Sequence, residues 1–245
     1  MTAAPPQVVR HADAAELAER TAARLLAALV ELQRDGRVAQ VCLTGGRIAH
    51  AVYAQLGELV AGSDLDPSRL ELWWGDERFL PTDDPDRNAG PTLALLARHF
   101  QLDPARTHPM PSADGVIAAG ASAATYAKEL GDTRFDLCLL GMGPDGHVAS
   151  IFPNHPSGEP TTQPVIGVSE APKPPPERIS LTIPRLNESD QVWFLVSGTE
   201  KSNALARSLA GDSSLPAARV AGRDRTLWLV DQSAASELPY FDCVS

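Results

Sequence analysis

One stretch narrows the possible folds more than any other. FDLCLLGM, residues 135–142, is apolar at four successive positions, Leu137 to Leu140. A strand with apolar side chains on both faces has to be covered on both, whereas a half-exposed strand alternates. VAQVCL (38–43), RLELWW (69–74), RISLTI (178–183), QVWFLV (191–196) and RTLWLV (225–230) share much of this character. The segments between them repeat apolar residues at helical spacing. In DAAELAERTAARLLAALVELQRDG (13–36) these fall at 17, 18, 22, 25, 26 and 29, with Asp13 placed to cap the start and Gly36 to end it. RIAHAVYAQLGELVAG (47–62), NAGPTLALLARHF (88–100), VIAAGASAATYAKELG (116–131) and EKSNALARSLAG (200–211) follow the same pattern. Strands alternating with helices predict an α/β fold: a mostly parallel, Rossmann-like sheet with helices on both faces. Its 245 residues, 43% of them hydrophobic, suffice for one core, so a single domain over 1–245 is expected.

The charge balance excludes several partners. With 21 basic against 31 acidic residues the formal charge is −10, which argues against nucleic acid or an anionic membrane surface. It leaves room for a small anionic substrate held by a few convergent cations. No apolar run approaches the ~18 residues of a membrane span. Residues 1–10 carry two prolines and no apolar stretch, so no secretory signal is expected. The three cysteines, at 42, 138 and 243, form no disulfide framework, which suits a cytoplasmic protein.

The glycines at 141, 143 and 146 have the G-x-G-x-x-G spacing of a dinucleotide-binding turn, and Glu170 lies where a ribose-binding acid would be sought. Two features oppose that reading. Prolines 153, 156, 160 and 164 leave no room for the crossover helix, and Asp145 would face a pyrophosphate. TGG at 44–46 lacks the Gly-Lys-Ser/Thr of a nucleotide P-loop. DDPDRNAG has Gly90 one position late for a calcium loop and Leu95 where a Glu is needed. His11, His50, His99, His108 and His155 read as surface or loop residues, and no histidine pair has zinc spacing.

What remains lies in four loops at the carboxyl ends of the strands, 44–47, 75–78, 141–147 and 198–201, where ligands of such sheets bind. Thr44, Gly45 and Gly46 precede a helix start whose N–H groups suit an anion. Asp76, Glu77 and Arg78 follow two tryptophans, His147 ends the glycine turn, and Arg178 and Lys201 come from later loops. Asp145, two residues before His147, is placed to orient it.

WWGDERFLPTDDPDRNAG (73–90), FDLCLLGMGPDGHVASIFP (135–153), PPPERISLTIPRLN (174–187) and LVSGTEK (195–201) together resemble the 6-phosphogluconolactonase family. The likeness runs from the LTGG loop to LWLVD. It implies hydrolysis of 6-phospho-D-glucono-1,5-lactone to 6-phospho-D-gluconate in the oxidative pentose phosphate pathway, by a monomer with no cofactor. By resemblance His147 is the catalytic histidine, and Asp76 and Arg78 match the G-D-E-R block. Asp76 is then expected to hold Arg78 or a sugar hydroxyl. Arg178 and Lys201 are directed toward the phosphate. Arg47 stands where the family often has a hydroxyl residue, so it replaces a neutral donor with a guanidinium. The fold is shared with isomerases/deaminases and with sugar-responsive regulators. The first of these carry a Glu five residues after the histidine, where this chain has Phe152. The regulators need a DNA-binding helix pair, and only about ten residues precede the first helix.

Overall fold

The computed structural model describes residues 5–115 and 118–239. Residues 1–4, the first two positions of the expected 116–131 helix, and Cys243 lie outside the described residues. In the first half, β1 (Gln7–His11), α1 (Ala14–Leu32), β2 (Ala39–Leu43), α2 (Arg47–Val60) and β3 (Leu70–Trp74) are followed by β4 (Asp76–Arg78) and α3 (Ala89–Leu96). Then come β5 (Thr107–His108), α4 (Ala119–Leu130), β6 (Leu137–Gly141), β7 (Val165–Val168) and β8 (Arg178–Leu181). A short α5 (Ile183–Leu186), β9 (Gln191–Val196), α6 (Ser202–Leu209) and β10 (Arg225–Asp231) complete the order.

Seven strands form one wholly parallel sheet in the order β1-β10-β9-β6-β2-β3-β5. FDLCLLGM takes its centre: Leu137 to Leu140 are at most 1% exposed, between β9 and β2. Phe194 stacks on Trp228 at 3.9 Å across β9 and β10, and α1 packs on α2. The Asp13 side chain accepts from the N–H groups of Ala15 and Glu16, capping α1 as its position predicts. That helix ends at Leu32, before a separate short turn that carries Gly36 at φ +79°. No helix among the described residues is long and apolar enough to cross a membrane.

Three expectations need correction. RISLTI is not a strand of the parallel sheet: β8 lies between β4 and β7 in a separate, antiparallel three-stranded sheet. Residues 76–78 are likewise the strand β4 rather than a loop, with Asp76 opposite Ser180 and Arg78 opposite Arg178. A hydrogen bond from Leu181 N–H to the Gly75 carbonyl (2.8 Å) ties the small sheet to the end of β3. The histidines are not all surface residues either. His11 is buried on β1, and His108 stacks on Trp73 at 3.9 Å between the carboxylates of Glu71 and Glu129. An imidazole between two acids and an indole is a structural fastener, for which the chain pattern gave no sign.

The chain runs from β2 outward to β3 and β5, and from β6 in the other direction to β9 and β10. The carboxyl ends of β2 and β6 therefore flank the point where the winding reverses. Connections leaving on opposite sides open a crevice there, the usual ligand position in such sheets.

Candidate active site

A cavity of about 820 Å³ opens at that reversal. Thr44, Gly45, Gly46, Arg47, Asp76, Arg78, His147, Arg178 and Lys201 all line it, so residues more than 150 positions apart in the chain meet around one cavity. Asp145 stands behind His147 rather than on the wall.

The glycine turn builds the histidine's position. Gly143 accepts from Gly146 N–H (3.0 Å) and donates to the His147 carbonyl (2.9 Å), closing the turn, with Gly146 at φ +81°. A Cβ on Gly143 would sit 2.0 Å from His147 Nδ1 and 2.6 Å from Asp145 Oδ1. The glycines therefore make space for an imidazole–carboxylate pair. His147 Nδ1 donates to Asp145 Oδ1 at 2.6 Å, because an ionised carboxylate can only accept. That fixes the tautomer and leaves Nε2 with its lone pair. Burial pushes the Asp145 carboxyl up, but the bond from His147, the charge that ring carries when protonated and the Lys173 ammonium outweigh it, holding it well below the usual carboxylate range. The Phe152 ring, 1% exposed, lies 4.8 Å from the imidazole and fixes its other side.

The Thr44–Arg47 side of the cavity is assembled around Gly45 and Gly46. Tyr53 Oη donates to the Thr44 carbonyl and accepts from Thr44 N–H, while Thr44 Oγ1 accepts from Gly141 N–H, joining the ends of β2 and β6. Gly46 begins α2 with no side-chain cap, so no capping side chain takes up the first N–H groups of that helix. A Cβ at Gly45 would fall 1.9 Å from Asn88 Oδ1, which is why the loop needs a glycine there. Lys201 faces the same space. Burial pushes its ammonium down, Glu200 pulls it back, and the Arg47 cation pushes it further down.

Asp76 does not hold Arg78. Its carboxylate accepts from Ser150 Oγ (2.7 Å) and Asn88 Nδ2 (3.3 Å), while Arg78 donates to the Asp86 carbonyl. Arg178 begins β8 rather than sitting in a loop, and three of its N–H groups go to the carbonyls of Lys173, Pro174 and Pro175. Only its remaining N–H groups can reach a ligand. Glu77, beside these residues, is wholly buried. It accepts from the N–H groups of Arg78, Asn88 and Ala89 and pairs with Arg87 at 3.4 Å. It therefore fixes the loop that follows β4 instead of facing solvent.

Asn88, Ser150 and Lys173 were not singled out from the sequence. Asn88 lies in a recognisable block, and its place before a helix was the available signal. Nothing local distinguishes Ser150 or Lys173.

Residues 12–228 match the family model described as glucosamine-6-phosphate isomerases/6-phosphogluconolactonase. A 6-phosphogluconolactonase of Streptomyces coelicolor is 47% identical over 248 aligned positions, covering 96% of this chain and 95% of that protein. One from Mycobacterium tuberculosis is 40% identical over 213, covering 82% and 85%. The crystal structure of 6-phosphogluconolactonase from Thermotoga maritima superposes with a TM-score of 0.82 at 28% identity, over 93% of this chain and 100% of that one. The matched span begins before α1 and ends within β10, so it takes in every strand-end segment of the cavity. The chain belongs to the glucosamine-6-phosphate isomerase/6-phosphogluconolactonase family.

Proposed function

We infer that this protein hydrolyses 6-phospho-D-glucono-1,5-lactone to 6-phospho-D-gluconate in the oxidative pentose phosphate pathway. The carrying observation is the 2.6 Å His147–Asp145 pair on one wall of a cavity whose other walls carry Arg47, Arg78, Arg178 and Lys201. The high identity to 6-phosphogluconolactonases supports the same reading. A lactone is a cyclic ester, so water must lose a proton as it attacks the carbonyl, and the ring oxygen must gain one as it leaves. His147 does both in turn through Nε2, as general base and then as general acid. Asp145 holds the ring and offsets the charge it acquires. Arg78 faces the developing oxyanion, and Asp76, braced by Ser150 and Asn88, binds a sugar hydroxyl. Thr44, Gly45, Gly46, Arg47, Lys201 and the open edge of Arg178 receive the phosphate, which orients the ring against the imidazole.

No metal or organic cofactor enters this reaction. In this reading the protein is a monomer forming a single domain. The buried free thiols of Cys42 and Cys138 suit a cytoplasmic protein.

Two assays test the reading together. Fresh phosphorylated lactone should be consumed well above its spontaneous rate. Glucosamine 6-phosphate should release no ammonia, because Phe152 beside His147 can neither give nor take a proton. Steady ammonia release, or hydrolysis no faster than the blank, would overturn it.

The phosphate handle makes a separate prediction. Lys201→Ala removes a charge-assisted contact of about 1.5–3 kcal/mol, roughly a 10- to 150-fold loss in kcat/KM on the phosphorylated lactone. The unphosphorylated lactone should be little affected. Equal losses on both would make Lys201 a structural residue.

A further inference from the structure

Behind the His147–Asp145 pair stands a third charged group. Lys173 Nζ lies 3.3 Å from Asp145 Oδ1 and 3.4 Å from His147 Nδ1. The ammonium and the ring N–H thus converge on one carboxylate oxygen. Lys173 does not line the cavity, so its reach is to the pair and not to a bound substrate. Nor is its position left to a free loop: Arg178 donates to the carbonyls of Lys173, Pro174 and Pro175, pinning this turn to β8.

We propose that Lys173 is a positioning residue that acts through the Asp145–His147 pair and opposes the pull of Asp145 toward the protonated ring. Asp145 alone has two effects that pull against each other. It holds the ring in the useful tautomer, and its negative charge favours the protonated ring, which cannot accept a proton from water. A cation 3.4 Å from Nδ1 opposes that second effect without breaking the first. Lys173 also occupies the same Oδ1, which draws charge from the oxygen that the imidazolium would otherwise neutralise. At Nδ1 the charged groups are Asp145 and Lys173, and on the ring's flank Phe152 is neutral. The cavity-lining charges Arg47, Asp76, Arg78, Arg178, Glu200 and Lys201 are unchanged by substitution at 173.

This proposal rests on the lactonase reading for its base, and its test separates the two. The acid limb of the kcat/KM profile is measured for wild type, Lys173→Met and Lys173→Arg. In parallel the pH titration of the His147 ring C–H signals is followed by NMR, which needs no turnover. Losing a cation at this distance should move both the acid limb and the ring titration of Lys173→Met to higher pH by roughly 0.5–1 unit. Lys173→Arg, which restores the charge, should return both toward wild type. Lys173 is a partly exposed side chain, 40% accessible, so both variants are expected to fold. An unmoved titration in Lys173→Met, or an Arg variant that behaves like the Met variant, overturns the proposal. A wild type that does not hydrolyse the lactone overturns the functional reading instead, while the ring titration still decides the role of Lys173.

Discussion

His147→Ala should fold and bind 6-phosphogluconate while losing about 10²–10⁴-fold in enzyme-dependent lactone hydrolysis, the range expected for a positioned acid–base group. The substitution removes a ring that donates to Asp145, has Lys173 Nζ 3.4 Å from the same nitrogen, and leans on Phe152. The backbone bond from Gly143 N–H to the residue-147 carbonyl survives it, so the turn keeps its closure. Binding depends on the cations across the cavity, and these are untouched. The pH–rate profile should lose its imidazole limb as well, since no other histidine lines the cavity among the described residues. The check is the initial rate of fresh lactone hydrolysis across a pH range that spans the histidine window, for wild type and variant. If the variant keeps near-wild-type rates and the same limb, the base lies elsewhere, and Asp76 is the next group on the wall.

The second large effect is on stability. Glu77 is wholly buried, with three backbone N–H groups and the Arg87 guanidinium directed at its two oxygens. Burial pushes its carboxyl up from the usual range, while those donors and Arg87 pull it back. Glu77→Gln keeps the shape but turns an NH₂ group toward N–H donors and leaves Arg87, 4% exposed, without its counter-charge. Breaking such a pair on one side costs about 3–5 kcal/mol. Against a total of roughly 5–15 kcal/mol for a domain, that is a large share. Urea titration of both proteins measures it. A loss below about 1 kcal/mol would mean that Arg87, which also donates to the carbonyls of Leu80 and Met110, is satisfied without Glu77.

Glu77 also shows where sequence reading stops. The continuous apolar strands specified the parallel sheet, because a doubly covered strand leaves a run that periodicity detects. Asp13 and the turn around Gly143 were legible for a related reason: a cap and a tight turn are local, made by residues two to four apart. The small sheet was not. Asp76–Arg78 is three residues long, too short for any period, and RISLTI reads the same whichever sheet receives it. Glu77 stands among charged neighbours that suggest a wet surface, and only the fold carries α3 over it. Lys173 lies 28 residues from Asp145 in a proline-rich stretch, and its contact exists only once Arg178 has folded that stretch back. The site residues in strand-end blocks could be gathered by their common edge. Those that support them from elsewhere could not.

The parallel sheet has its first strand at one edge, and among the described residues the sole sheet neighbour of β1 is β10, with Gln7 opposite Leu227 and His11 opposite Asp231. During synthesis β1 therefore emerges before the other strands of its sheet and has no sheet partner until β10 has followed it. β2 and β3 find each other early, because only one helix separates them. In the finished sheet β6 lies beside β2, with β9 and then β10 beyond it in chain order. Closing the loop between the two ends carries the largest chain entropy of any pairing here, and it comes last. The earliest strand of the sheet in chain order is thus joined to it only through the latest.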